Sequence, residues 1–244
     1  MKHVRTTTTI AAAALALVPA AAFAATIDGG PGNERLRGTN AADTINGNDG
    51  NDRLFGRAGD DTLDGGNGVN RLFGMKGDDT LRGGPQRDRL HGGPGNDTSD
   101  GGDGNDRLAG GTGDDTQNGG PGNDVIYANA GVDVSTGGDG NDILWALARS
   151  DVKPGPNGEP DQTGDTLDGG NGNDRFRTRD GEVDRITCGD GNDVAFLDRV
   201  DVITDATAEN PNGSCEKVIR AARADNSGSE DAQQQTTAEE KAQA

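Results

Sequence analysis

The stretch Gly101-Gly102-Asp103-Gly104-Asn105-Asp106-Arg107-Leu108-Ala109 puts three glycines, two acids and one large apolar side chain into nine positions. Cut in the same phase, the chain from Gly29 to Trp145 divides into thirteen consecutive nonads without an insertion. Position 1 is Gly in twelve of them, position 4 is Gly in eleven, and position 8 is Leu or Ile in ten. Position 6 is Asp in eleven: Asp43, Asp52, Asp61, Asp79, Asp88, Asp97, Asp106, Asp115, Asp124, Asp133 and Asp142, with Glu34 and Asn70 as departures. Self-similarity at a fixed short period is the mark of a stacked-repeat architecture.

Each nonad has a physical reading. Six residues rich in Gly, Asn and Asp supply a turn whose backbone visits positive φ and whose carbonyls can point inward. The three that follow, one apolar residue flanked by polar ones, make a minimal strand. A strand of three cannot stand alone, so stacking in parallel, two nonads to a full turn, is the natural solution. The competing reading of the Asn-Gly and Asp-Gly signals is a meander of β-hairpins, whose strands would be too short to be stable.

The quoted nonad resembles the glycine-rich RTX, or haemolysin-type, calcium-binding repeat GGxGxDxUx. That resemblance implies an all-β fold, a right-handed parallel β-roll with a C-terminal cap. It also implies Ca2+ ions held by the sixth-position Asp residues and the loop carbonyls. After an irregular stretch the pattern returns, adding Asp165, Asp174 and Asp193 to the expected ligands. Seven loops on one edge and six on the other leave at most eleven gaps for ions over residues 29–145.

The composition fits such a role. The 244 residues include 42 Gly and 42 acidic against 23 basic side chains, a net charge of −19, with only 3% aromatic. So few large apolar groups cannot offset the entropy of ordering so many glycines, and low hydropathy with high charge ordinarily signals disorder. A cation that neutralises the lattice resolves the conflict, and the chain is expected to be expanded without calcium and to fold on binding it. Magnesium prefers a tighter octahedral shell, and zinc would find one His beyond the leader, His91, and two cysteines.

Outside the lattice, Met1–Arg5 is basic, Ile10–Phe23 is apolar, and Ala22-Phe23-Ala24 closes with a small-x-small site. Residues 1–24 therefore read as a secretory signal peptide, and the protein as secreted. A membrane anchor is the alternative, for which the apolar run is short; no transmembrane segment is expected. The roll is assigned to 25–145, an inserted Pro- and Gly-containing loop to 146–164, and a degenerate second repeat block to 165–196. A disulfide-linked cap follows over 197–223, and a disordered Ala/Gln/Glu tail over 224–244. An oxidising compartment suits a Cys188–Cys215 disulfide, with two free thiols as the alternative. The cap resembles the Cys-containing end of actinobacterial secreted RTX-like proteins.

Reading every eighteenth residue separates two outward faces. One carries Arg35, Arg53, Arg71, Arg89 and Arg107 beside Phe55, Phe73, His91, Tyr127 and Trp145; the other carries Thr44, Thr62, Thr80, Thr98 and Thr116. The first could dock an anionic glycan or a cell surface, or could simply offset carboxylates and shield the sheet. The Thr row raises ice binding, but its companion row is too mixed for a regular lattice. Inward position 8 changes from Ile45, Leu63 and Leu81 to Ser99, Gln117 and Ser135, so that half is expected to be less regular or more dependent on calcium. No GxSxG, HExxH or Ser/His/Asp set is present, so no enzyme is expected, and the negative charge disfavours nucleic acid. The leading use is an extracellular structural or adhesive module.

Overall fold

A computed structural model describes residues 23–146, 163–207, 210 and 212–220. The segments 1–22, 147–162 and 221–244 lie outside them, and with them most of the expected leader, the body of the inserted loop and the tail. The described residues form twenty strands and no helix, arranged as two ten-stranded sheets. One sheet runs from Thr26–Asp28 to Val202–Ile203, the other from Arg35–Arg37 to Lys217–Arg220. Every strand pairs in parallel with the strand two along the chain, so successive strands alternate between sheets and the chain winds as a β-solenoid. A hairpin meander is excluded by that parallel pairing.

Register follows the eighteen-residue period without slippage. Leu90 faces Leu108, which faces Ile126, which faces Leu144. Past Trp145 the stack continues across the undescribed segment: Ser135 pairs with Leu167 and Leu144 with Phe176, so the next rung is built from residues beyond it. A one-residue slip would turn every position-8 side chain outward, and this burial requirement holds the register.

The core is a thin double column between the sheets. Leu36, Leu54, Leu72, Leu90, Leu108, Ile126, Leu144 and Phe176 come from one sheet, and Ile45, Leu63, Leu81, Leu167 and Ile186 from the other. Ser99, Gln117 and Ser135 interrupt the second column and are buried, at most 2% exposed. Gln117 Oε1 accepts from the Ser135 hydroxyl at 3.1 Å, while Ser99 Oγ and Gln117 Nε2 have no partner. The expected loss of regularity there does not occur. Strands of that sheet lengthen instead, from three residues in Thr44–Asn46 and Thr62–Asp64 to six in Thr116–Pro121 and Val134–Asp139, because the backbone ladder extends into the glycine loops.

The last rungs are closed by a disulfide. Cys188 and Cys215 are bonded, both are buried, and their Cα atoms lie 5.2 Å apart. The Ser214 hydroxyl, beside Cys215, accepts the N–H groups of Cys188 and Gly189 at 3.0 and 3.2 Å. No helix among the described residues is long and apolar enough to cross a membrane.

Candidate metal centres

Each loop enters its strand through the sixth-position residue, and the stacking of loops places these residues in two columns, one along each edge. All fourteen expected Asp side chains are buried, none more than 3% exposed. Their environment is set by a ladder of side-chain hydrogen bonds. Oδ1 of each accepts the backbone N–H of the sixth-position residue one rung earlier, for example Asp88 N–H to Asp106 and Asp106 N–H to Asp124, both at 2.7 Å. On the other edge Asp97 N–H bonds Asp115 and Asp115 N–H bonds Asp133, again at 2.7 Å. The ladders cross the insertion, since Asp133 N–H reaches Asp165 and Asp142 N–H reaches Asp174 at 2.8 Å.

A second ladder occupies position 5 and runs the opposite way. There the later N–H bonds the earlier side chain: Asn141 N–H to Asn123 Oδ1 at 2.7 Å, Asn123 N–H to Asn105 Oδ1 at 2.9 Å. The recurrent Asn-Asp pair at positions 5 and 6 is thus accounted for by two columns of backbone donors.

The second carboxylate oxygen is different. Oδ2 of Asp52, Asp61, Asp79, Asp88, Asp97, Asp106, Asp115, Asp124, Asp133, Asp142, Asp174 and Asp193 is buried without a hydrogen-bond partner. Asp43 departs, its Oδ2 accepting the Thr39 N–H. A buried carboxylate oxygen left unpaired costs several kcal/mol unless a cation or proton meets it. These oxygens share their space with carbonyls. A Cβ placed on Gly101 would lie 2.5 Å from Asp106 Oδ2 and 2.6 Å from the carbonyl oxygen of Gly119 one rung on.

Asn70 identifies what the unpaired oxygens face. At this sixth position an amide replaces the carboxylate, and its Nδ2 donates to the carbonyls of Gly68 at 3.0 Å and Gly66 at 3.3 Å. The space above Gly65 is the counterpart of that above Gly101: a Cβ there would lie 2.8 Å from Asn70 Nδ2 and 2.5 Å from the Gly83 carbonyl oxygen. Loop carbonyls of positions 2 and 4 therefore converge on the outer atom of the sixth side chain. Asn70 meets them with a donor. Where Asp stands, oxygen faces oxygen, and only a positive species between them makes the arrangement favourable.

Burial also raises these acids. It pushes Asp79, Asp88, Asp106, Asp115, Asp124, Asp142 and Asp174 up to about 7, against the lowering effect of the ladder N–H. Asp61 and Asp97 rise to about 6 for the same reason. Asp133, buried and close to the Asp165 carboxylate, rises to about 9. The donor set consists of carboxylate and carbonyl oxygens with no sulfur or imidazole, which suits a hard cation of flexible coordination, calcium above zinc or magnesium.

A family model for the RTX calcium-binding nonapeptide repeat matches residues 28–63, 64–99, 100–134, 118–144 and 161–195. The chain belongs to that family. No curated protein matches it. RTX repeats bind calcium, and most of the sixth-position Asp residues of this RTX chain lie within the matched repeats.

Several members of the columns are not among the expected ligands, three because they escape the nonapeptide spacing and Glu34, in phase, because it is not Asp. Glu34, Asp184, Asp201 and Glu216 also stand in the ladders: Glu34 N–H bonds Asp52, Asp165 N–H bonds Asp184, Asp184 N–H bonds Asp201 at 3.4 Å, and Asp193 N–H bonds Glu216 at 2.6 Å. The sequence separations of 19 and then 17 around Asp184 conceal the period. A signal survives in the acid followed two residues later by an apolar side chain, as in Asp184-Arg185-Ile186, Asp201-Val202-Ile203 and Glu216-Lys217-Val218.

Proposed function

We propose that this RTX chain is a secreted calcium-binding protein that folds on binding the ion and serves as an extracellular structural or adhesive module. Its ligands are the sixth-position residues Asp43, Asp52, Asp61, Asp79, Asp88, Asp97, Asp106, Asp115, Asp124, Asp133, Asp142, Asp165, Asp174 and Asp193, together with loop carbonyls. The observation that carries this reading is the contrast between Asn70, whose amide satisfies its loop, and the Asp residues whose Oδ2 is buried and unpaired. Like-charged columns in so thin a core favour an expanded chain until calcium enters. The basic-apolar leader ending at Ala24 and the Cys188–Cys215 bond support secretion, with the roll, repeat block, cap and tail divided as the sequence divides them. A non-catalytic role is supported by the placement of the acids, which are enclosed in loops rather than gathered in an open cleft.

Calcium calorimetry with parallel circular dichroism tests the proposal. Multiple ions should bind as β-structure appears. Full β-structure in excess chelator would overturn the coupling of folding to calcium.

A second reading attaches to the Arg face, where an open groove of about 540 Å³ is lined by Arg35, Arg53, Phe55, Arg71, Phe73 and His91, among others. Phe55 and Phe73 stack with centroids 5.1 Å apart, and Arg35 lies 4.8 Å over the Phe55 ring. Arg guanidinium beside a stacked aromatic platform suits an anionic sugar. Saturable hits on a glycan array in calcium, lost in chelator, would favour this reading over a passive scaffold.

A further inference from the structure

The turn joining the strands Arg175–Thr178 and Arg185–Thr187 breaks the loop formula. It runs Arg179-Asp180-Gly181-Glu182-Val183-Asp184, where the other loops follow Gly-Gly-x-Gly-x-Asp. Asp184 is the sixth-position residue, since its Oδ1 accepts the Asp165 N–H at 2.8 Å. Counted back from it, Asp180 stands at position 2 and Glu182 at position 4. Those are the positions whose backbone carbonyls converge in the Asn70 loop. Here they carry carboxylates instead, and the turn is made by Gly181, with φ +104°.

We propose that Asp180, Glu182 and Asp184 form a separate divalent-cation site, of a class that takes calcium, built from side-chain carboxylates rather than loop carbonyls. One ligand oxygen from each of the three lies within 4.8 Å of the others. Oxygens about 2.4 Å from a shared calcium ion are at most about 4.8 Å apart, a condition that the three meet, and small side-chain adjustments would bring them onto one ion. The three side chains are 7%, 4% and 0% exposed. Asp180 Oδ1 accepts the Glu182 N–H at 3.1 Å and Asp184 Oδ1 is held by Asp165, which leaves Asp180 Oδ2 and Asp184 Oδ2 buried and unpartnered.

The surroundings deepen the negative field. Asp201 is fixed by the Thr178 hydroxyl at 2.6 Å and the Asp198 N–H at 2.8 Å. Burial first, then the charge of Glu182 on Asp180 and of Asp180 on Asp184, with Asp201 and Asp165 adding to both, raises Asp180 and Asp184 well above the usual carboxylate range. Such a pocket must hold either protons or a cation. Three carboxylates on one ion exceed what a nonapeptide loop offers, so this site should fill early in a titration. The strand Arg185–Thr187 leads directly into Cys188, so a filled site would fix the start of the strand whose far end meets the disulfide.

This site does not require the nonapeptide loops to bind calcium, and the test separates the two. In crystals of the full chain grown with terbium in place of calcium, an anomalous peak is expected within about 2.3–2.6 Å of Asp180 and Asp184 carboxylate oxygens. Peaks in the nonapeptide loops with none here would overturn this proposal alone; a peak here with none in the loops would overturn the loop assignment and support this site. In solution, native mass spectrometry at saturating calcium should count one ion fewer for the Asp180→Asn, Glu182→Gln double variant than for the wild type. An unchanged count overturns the site, and the wild-type crystal decides the matter if the variant does not fold.

Discussion

At the scale of the single residue, position 6 and position 2 obey different rules. Asn70 closes its loop with two amide hydrogen bonds, so Asn70→Asp exchanges a satisfied site for one that needs an ion. Calorimetry should then count one additional calcium. Without calcium the variant should be less stable by about 1–3 kcal/mol, the cost of an unmet buried polar group. Position 2 concerns the backbone. Arg57 at φ 94° and Met75 at φ 83° occupy a conformation that most nonads there give to Gly. Left-handed geometry costs a side-chain-bearing residue about 1–2 kcal/mol, partly offset by the greater entropy that Gly loses on folding. Met75→Gly should therefore raise thermal stability modestly in calcium. The opposite change should do harm: a Cβ on Gly111 would meet the Gly93 carbonyl backbone, so Gly111→Ala should lower the melting temperature clearly.

At the scale of the element, the unit is a three-residue strand with its loop, and sequence reading succeeded wherever the period was intact. Leu90, Leu108 and Ile126 were placed by spacing alone because burial allows one register, and the parallel pairing follows from strands too short to pair otherwise. The sixth-position Asp residues were legible as a column, but the division of labour between their two oxygens was not. It depends on an N–H contributed by the neighbouring rung, a relation that no single nonad contains. Asp184 and Asp201 were hidden because one extra residue in one turn and one fewer in the next shift the frame, while stacking restores the alignment in space. The polar column Ser99, Gln117 and Ser135 leaves the sheet regular, since backbone pairing through the glycine loops maintains it there, and of the two expectations for that half a greater dependence on calcium is the one that remains. The double change Gln117→Leu, Ser135→Ala would continue the apolar column and remove an unmet amide without stranding the Ser135 hydroxyl that Gln117 accepts. It should stabilise the calcium-loaded protein by about 1–2 kcal/mol, read as a higher denaturation midpoint.

At the scale of the whole molecule, the columns of buried acids make stability a function of both pH and calcium. In the calcium-free roll the central carboxyls hold their protons up to about pH 7, whereas exposed in an unfolded chain they ionise near 3.8. The folded state therefore binds more protons between those values, and its stability falls as pH rises from about 4 through about 7. In chelator, circular dichroism should report more β-structure at pH 4.5 than at pH 8, while calcium affinity should weaken as acid competes for the same oxygens. The Cys188–Cys215 bond, with a sequence separation of 27, should contribute about 3–4 kcal/mol in a chain-entropy account, so Cys215→Ser should melt earlier in calcium. The opposed ladders at positions 5 and 6 bear on length. Wherever position 5 carries Asn or Asp, a loop adds one N–H bond pointing up the stack and another pointing down it, so lengthening the solenoid by such loops accumulates no net polarity from these two rows at its ends. Eighteen-residue units can thus be duplicated or deleted without an end-to-end dipole building up from these rows, provided a cation meets each added carboxylate.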